Sequence, residues 1–258
     1  MGRERTARLL PWLRAEGKRP LVFGHRGARH AAPENTMMAF ELALAEGADG
    51  VELDVRLDGD GRVVVLHDTT LARVSEDRET RSAEAMTAAE LSRVDVGRGE
   101  RVPLLKDVLA WSLERQARVN VELKRDVRRP RALIEGVVRA VQAGGGAEGL
   151  LLFSSFHPLF VAALAVRLPR HARAWLVHER QRVFKRAPFH RGLGADGVHP
   201  QHQLVTAEAL ARWKRRPALV NAWTVNAADE ARRVTALGVD GLVTDRPAEI
   251  LAALEHLS

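Results

Sequence analysis

The sequence predicts an α/β fold in which eight parallel strands alternate with helices and close into a (β/α)8 barrel. Three observations carry this expectation. Short runs rich in Val, Ile or Leu recur along the whole chain. Stretches of helical period lie between most of them. No Pro-, Gly- or Ser-rich linker divides the 258 residues, so one domain over residues 1–258 is expected.

The elements follow in chain order. Residues 3–16 place Leu9, Leu10, Trp12 and Leu13 among basic residues, the pattern of a short amphipathic helix. Packing on the protein's own surface is expected for it, rather than a membrane-surface role. Strands are expected at Leu21–Gly24, Gly50–Arg56, Arg62–His67, Val119–Leu123 and Leu150–Ser154. Further strands are expected at Arg173–Val177, Asp196–His199, Leu219–Thr224 and Asp240–Thr244. Helices are expected at Thr36–Glu46, Arg131–Ala143, Pro158–Arg167, Thr206–Arg215 and Ala228–Leu237. Gly144-Gly145-Gly146 marks a helix end.

Nine strands are one too many for the barrel, and the excess has a local explanation. Val51–Leu57 and Val63–His67 are joined only by Asp58-Gly59-Asp60-Gly61. Four residues are too few for a parallel crossover and suit a hairpin. An antiparallel hairpin after strand 2 is therefore expected, with paired residue numbers summing to about 119 and His67 opposite Glu52. Residues 69–105 are the least regular stretch and predict a short insertion or lid.

Composition excludes several classes. Hydrophobic residues make up 46% and charged residues 28%, which excludes a disordered or collagen-like chain. Without Cys there is no disulfide framework and no thiolate nucleophile or metal ligand. No uninterrupted apolar run reaches the length of a secretory signal or a membrane span, so a cytoplasmic protein with no stable membrane anchor is expected. The net charge is +7, and only five of the 40 basic residues are Lys. Such a balance suits a phosphate-bearing partner, or simply a preference for Arg over Lys.

Chemistry-bearing residues collect at strand ends. Glu52 and Asp54 are two apart on an apolar strand and share one face. Two buried like charges need compensation, which a divalent cation with oxygen ligands supplies. Glu122 and Lys124 repeat the pattern on another strand. The first strand ends in His25 and Arg26. Strand ends of a barrel meet at one rim, so these residues and His67 can converge there. They offer three carboxylates for a cation, two imidazoles for proton transfer, and Arg plus Lys for an anion.

These segments resemble the glycerophosphodiester phosphodiesterase family. The resemblance rests on Gly24-His-Arg-Gly27, Ala32-Pro-Glu-Asn-Thr36, Gly50-Val-Glu-Leu-Asp-Val55 and Val64-Val-Leu-His-Asp68. It continues through Val119-Asn-Val-Glu-Leu-Lys124, Ser154-Ser-Phe156, Ala222-Trp-Thr-Val-Asn226 and Gly238-Val-Asp-Gly-Leu-Val-Thr-Asp-Arg-Pro247, covering about residues 20–250. It implies a distorted TIM barrel that uses a divalent cation, Mg²⁺ or Ca²⁺. By position it implies His25 and His67 as general acid and base, and Glu52, Asp54 and Glu122 as metal ligands. Arg26 and Lys124 would bind phosphate, Trp223 would line the substrate pocket, and Glu34 and Asn35 would hold the catalytic loop. Two segments depart from the family pattern, Thr69–Val74 and Pro103–Val108, and both bear on the leaving-group pocket.

The implied reaction is hydrolysis of a glycerophosphodiester to glycerol 3-phosphate and an alcohol, with water or the neighbouring glycerol hydroxyl as attacker. A lysophospholipase D acting through the same site is the alternative among enzymes. A nucleic-acid-binding protein is the alternative from another class. Aromatic residues at 5% and Arg spread over the whole chain speak against that last reading. His199 ends a strand at the same rim and is a candidate substrate contact, as are His178 and Glu179. His157 reads as a helix-start residue, and His171, His190, His202 and His256 as surface residues. Trp12, Trp111, Trp175 and Trp213 suit packing. Arg125, Arg128, Arg129 and Arg131 suit a solvated loop and helix start. Asp245 is expected to fix the N-terminal segment or the rim.

Overall fold

The computed structural model describes residues 2–181, 192–214 and 218–255. Helix α1 (Gly2–Leu9) and a 3₁₀ turn (Leu10–Trp12) lead to strand β1 (Leu21–His25), helix α2 (Met37–Ala45), β2 (Gly50–Leu57) and β3 (Val63–Val65). After an irregular stretch with α3 (Ala88–Leu91) come α4 (Leu105–Arg115), β4 (Arg118–Leu123), α5 (Pro130–Ala143) and β5 (Leu151–Ser155). Then follow α6 (Pro158–Arg167), β6 (Ala172–Val177), β7 (Gly197–Pro200) and α7 (Ala207–Trp213). The chain continues with β8 (Leu219–Ala222), α8 (Ala228–Leu237), β9 (Gly241–Thr244) and α9 (Pro247–Leu254). No helix among the described residues is long and apolar enough to cross a membrane.

Eight strands run parallel in the order β1-β2-β4-β5-β6-β7-β8-β9, and β9 pairs back onto β1. The ring is a closed (β/α)8 TIM barrel, as the alternation of strands and helices predicts. Two apolar clusters fill the space between the strands and the outer helices. The helix starts follow local rules: Thr36 and Thr206 accept a hydrogen bond from the backbone N–H three residues on. His157 does the same work for α6, accepting from Leu159 N at 3.2 Å. Trp12, Trp111, Trp175 and Trp213 are all buried, as their packing role requires.

Strand β3 lies outside the ring and forms the expected antiparallel hairpin with β2, but in a different register. The pairs are Val55 with Val65, Arg56 with Val64 and Leu57 with Val63. The paired numbers sum to 120, one more than expected, because Gly61 at φ +82 and an Asp58 carboxylate accepting from Arg62 N centre the turn on Asp60. His67 therefore does not pair opposite Glu52; it lies two residues beyond the strand.

The same edge of β2 changes partner midway. β1 pairs with Gly50–Glu52, and β3 pairs with Val55–Leu57. In the gap, the Asn35 side chain accepts from Asp54 N at 3.3 Å and donates to Asp54 Oδ2 at 3.0 Å, while Asp54 O accepts from Leu66 N. A side-chain amide thus completes the ladder where two strands part. Between β3 and α4 the chain packs a small cluster of its own, around Leu66, Leu71, Met86 and Leu91.

The bottom of the barrel is apolar. Phe23, Leu152, Ala172, Ala174, Leu219 and Val243 fill it, and Leu9 and Trp12 of the N-terminal segment join the same cluster. Trp12 stacks on Phe23 with ring centroids 5.9 Å apart. The amphipathic N-terminal segment is thus packed on the protein itself, and Trp12→Ala should destabilise the fold by about 3–5 kcal/mol. Denaturant unfolding followed by circular dichroism measures this; a change below 1 kcal/mol, about the cost of a surface substitution, would show that the segment does not close the barrel.

Candidate active site

Alternation along the strands explains which side chains enter the barrel. Register partners in a parallel sheet point to the same side, and residues two apart do so as well. His25 aligns with Glu52, Glu52 with Asn120, Asp54 with Glu122, and Glu122 with Ser154. Leu176 aligns with His199 on the far side of the ring. Charged residues occupy the C-terminal ends of these strands, above the apolar bottom layer.

Glu52, Asp54 and Glu122 are all buried, and one carboxylate oxygen of each lies within 4.8 Å of the others. Three hard oxygen donors at this spacing fit a divalent cation, and the donor set suits Mg²⁺ and Ca²⁺ alike. The electrostatics point the same way. Burial, then the charges of Asp54 and Glu122, push the Glu52 carboxyl well above its ordinary pKa. Burial also raises Glu122. Burial works against ionisation of Asp54 too, but Lys124 and Arg26 beside it hold its pKa below the usual carboxylate range. Lys124 Nζ lies 2.9 Å from Glu122 and 3.3 Å from Asp54, and Arg26 Nε lies 3.1 Å from Asp54.

Arg26 sits in a left-handed backbone conformation at φ 60, and its N–H donates to Glu52 O. Gly27 follows at φ +83, and a Cβ there would meet the Ala39 backbone at 2.5 Å. Only glycine lets the loop turn this closely against α2. The Arg26 guanidinium also donates to Glu34 at 3.0 Å. Glu34 in turn accepts two hydrogen bonds from Arg73, at 2.7 and 2.9 Å. Burial opposes ionisation of Glu34, but its hydrogen bonds from Arg73 and the charge of Arg26 hold its pKa low. Glu34 and Asn35 thus anchor the loop that carries His25 and Arg26.

Each of the two site histidines is gripped by a carboxylate through Nδ1. His25 lies 2.6 Å from Asp245 Oδ1, and His67 lies 2.6 Å from Asp68 Oδ1. Asp245 is itself held by Asn226 at 2.7 Å, and Asp68 by Arg73 at 2.6 Å. A carboxylate on Nδ1 favours the Nδ1–H tautomer and leaves Nε2 available as an acceptor. Burial lowers the pKa of both rings below the ordinary histidine value.

His25, Arg26, Glu52, His67, Glu122 and Lys124 line one narrow cleft of about 70 Å³, with Trp223 and Phe156 on its wall. The two rings meet edge to face at 5.5 Å. A wider groove of about 570 Å³ adjoins it, lined by Thr69, Thr70, Arg125 and Asp126. His67, Glu122, Lys124 and Phe156 border both. The structure therefore brings together His25, Arg26, Glu52, Asp54, His67, Glu122, Lys124 and Trp223 at one rim, with Glu34 and Asn35 behind them.

Sequence reasoning missed the partners of the two histidines. Asp245 was expected to fix the N-terminal segment or the rim; its contact with His25 follows only from closure of β9 onto β1. Asp68 was visible only as the residue after His67. His171, expected at the surface, is buried, with Nε2 against Gly146 O. His202 pairs with Glu230. His190 and His256 lie outside the described residues. His178 packs against Trp223 with ring centroids 5.8 Å apart, and Glu179 donates its backbone N–H to Gln201. Arg125, Arg128, Arg129 and Arg131 are exposed, as expected of a solvated loop and helix start.

His199 is 1% exposed and lines the cleft, and neither ring nitrogen finds a partner among the described residues. Burial pushes its pKa down to about 3. The folded value lies below the ordinary 6.5, so the unfolded chain takes up the proton first as pH falls. Stability from neutral His199 is intact above pH 6.5 and falls by about 1.4 kcal/mol per pH unit below it. Between pH 7 and pH 5 the wild type should therefore lose more stability than His199→Gln. Parallel losses in urea titrations at the two pH values would refute this.

Comparison with known proteins agrees with the geometry. The family model of the glycerophosphoryl diester phosphodiesterases matches residues 25–249. The glycerophosphodiester phosphodiesterase of Bacillus altitudinis is 32% identical over 250 residues, spanning 92% of this chain and 98% of that one. A phosphodiesterase of Oleispira antarctica, solved with sn-glycerol-3-phosphate, superposes with a TM-score of 0.83 at 26% identity, covering 92% of this chain and 97% of that one. A glycerophosphodiester phosphodiesterase of Agrobacterium tumefaciens superposes with a TM-score of 0.76 at 26% identity, covering 90% and 99%. A closed barrel, a buried acid triad and a match over most of the length place this chain in the glycerophosphoryl diester phosphodiesterase family.

Proposed function

We propose that this protein hydrolyses glycerophosphodiesters to glycerol 3-phosphate and an alcohol, with His25 and His67 as the acid–base pair and a divalent cation on Glu52, Asp54 and Glu122. The observation that carries this reading is the pair of carboxylate-held imidazoles on one cleft with Glu52 and Glu122, the third acid, Asp54, lying within 4.8 Å of both. The Oleispira antarctica relative bound to sn-glycerol-3-phosphate supports the product.

The cation, when bound, supplies Lewis-acid polarisation of the phosphoryl group. Arg26 and Lys124 present cationic N–H donors where negative charge grows on the phosphate oxygens. One histidine takes the proton of the attacking oxygen, a water or the adjacent glycerol hydroxyl, at Nε2. The other gives a proton to the leaving alkoxide. Asp245 and Asp68 keep each ring in the tautomer that does this and stabilise the imidazolium form. Trp223 and Phe156 wall the cleft against bulk water.

His25→Ala and His67→Ala should each slow release of glycerol 3-phosphate from glycerophosphocholine by roughly 10²–10⁴-fold while leaving the circular dichroism spectrum unchanged. Wild-type turnover in either variant would remove that residue from the mechanism. Chelation should abolish turnover, and Mg²⁺ or Ca²⁺ should restore it; activity that persists in excess chelator would rule out the cation. Asp245→Asn and Asp68→Asn should lower kcat and shift the pH profile of kcat/KM. An unshifted profile would show that the carboxylates do not tune the rings.

A further inference from the structure

The groove beside the cleft holds one charge that the proposed chemistry does not use. Its acids are already answered. Lys124 Nζ lies 2.9 Å from Glu122, and Arg73 Nε lies 2.6 Å from Asp68. Arg56 donates to both carboxylate oxygens of Asp126, at 2.9 and 2.8 Å. Arg125 lines the same groove and is exposed, yet it pairs with no carboxylate among the described residues. Its guanidinium carbon instead lies over the ring of Phe156, 5.9 Å from the centroid.

Position gives that charge a use. Arg125 follows Lys124 in the chain, and the cleft and the groove meet at Lys124, His67, Glu122 and Phe156. A phosphodiester held beside the histidines therefore has the groove as its neighbour. The cleft holds about 70 Å³, whereas the groove holds about 570 Å³, the size of a small-molecule site. An alcohol of more than a few atoms has room only in the groove.

The lining then selects among alcohols. A quaternary ammonium is recognised by open aromatic faces. Phe156 turns its face to Arg125 and is met by Trp223 at 82°, so such a group would find a guanidinium where it needs a ring. A carboxylate matches the planar fork of a guanidinium and would bring Arg125 the counter-charge it lacks. A dianionic phosphate would carry a second negative charge into a space bordered by Asp68 and Asp126.

Resting on the substrate class proposed above, we infer that Arg125 makes the groove selective for a leaving alcohol that carries a carboxylate.

The test uses three glycerophosphodiesters whose leaving alcohols are 3-hydroxypropanoate, its uncharged amide and choline. With the cation-loaded wild type, kcat/KM for the carboxylate diester should exceed that for the amide diester roughly tenfold, and the ratio should shrink as salt is raised. Arg125 is exposed, so replacing it leaves the packing of the barrel intact. Arg125→Gln should bring these two diesters near parity, and Arg125→Lys should keep part of the preference. Arg125→Glu should place the choline diester ahead of the carboxylate one. Equal kcat/KM for the carboxylate and amide diesters in the wild type overturns the inference. A preference that persists unchanged in both Arg125→Gln and Arg125→Glu overturns it as well. Turnover of the amide diester separates the two ideas. Hydrolysis without a carboxylate preference removes the charge selection alone, whereas no hydrolysis of any of the three removes the substrate class on which it rests.

Discussion

Three carboxylates crowded at the mouth of a barrel are the constraint around which the upper half of this molecule is arranged. Like charges in a buried place repel, and desolvation raises the penalty. The surrounding residues respond in layers. Lys124 and Arg26 lean directly on Asp54, and Glu34 holds Arg26 from behind. Arg73 then ties Glu34 to Asp68, and Asp68 holds His67. A single chain of alternating charges thus runs from the acid triad to one of the two imidazoles. A change at Arg73, which lies at the surface, reaches the site through two ion pairs.

The lower half obeys a different rule. Its interior is filled with Phe23, Leu152, Leu219 and small alanines, and the N-terminal segment covers it with Leu9 and Trp12. Stability and chemistry are therefore separated along the barrel axis, apolar below and ionised above. Asn35 marks the seam between regular and irregular backbone. It replaces a strand where β2 exchanges β1 for β3, and the peptide it satisfies belongs to Asp54 itself. The geometry of an acid in the triad is thus fixed by the device that mends the sheet.

Much of this was legible in the chain. Alternating apolar runs and helical stretches predicted the barrel, and the four-residue link at Asp58–Gly61 predicted the hairpin, because loop length alone forbids a crossover. Strand alternation predicted that Glu52 with Asp54, and Glu122 with Lys124, would share a face. The hairpin register was missed by one residue, since a glycine in the left-handed region shifts a turn in a way spacing does not show. The buried state of His199 and of His171 was hidden for another reason: burial depends on what neighbouring strands and loops cover, and a lone histidine carries no periodic signal. Contacts such as His25 with Asp245, separated by 220 residues, exist only once the ring is closed.

That last contact ties the two ends of the ring together. His25 stands on the first strand, and its orienting carboxylate follows the last. The acid triad is drawn from β2 and β4 alone, whereas the imidazole of His25 takes its partner from the residue after β9. The dyad forms only when β9 docks between β8 and β1. An oriented His25 therefore reports a closed ring, whereas the acid triad needs only two of its strands.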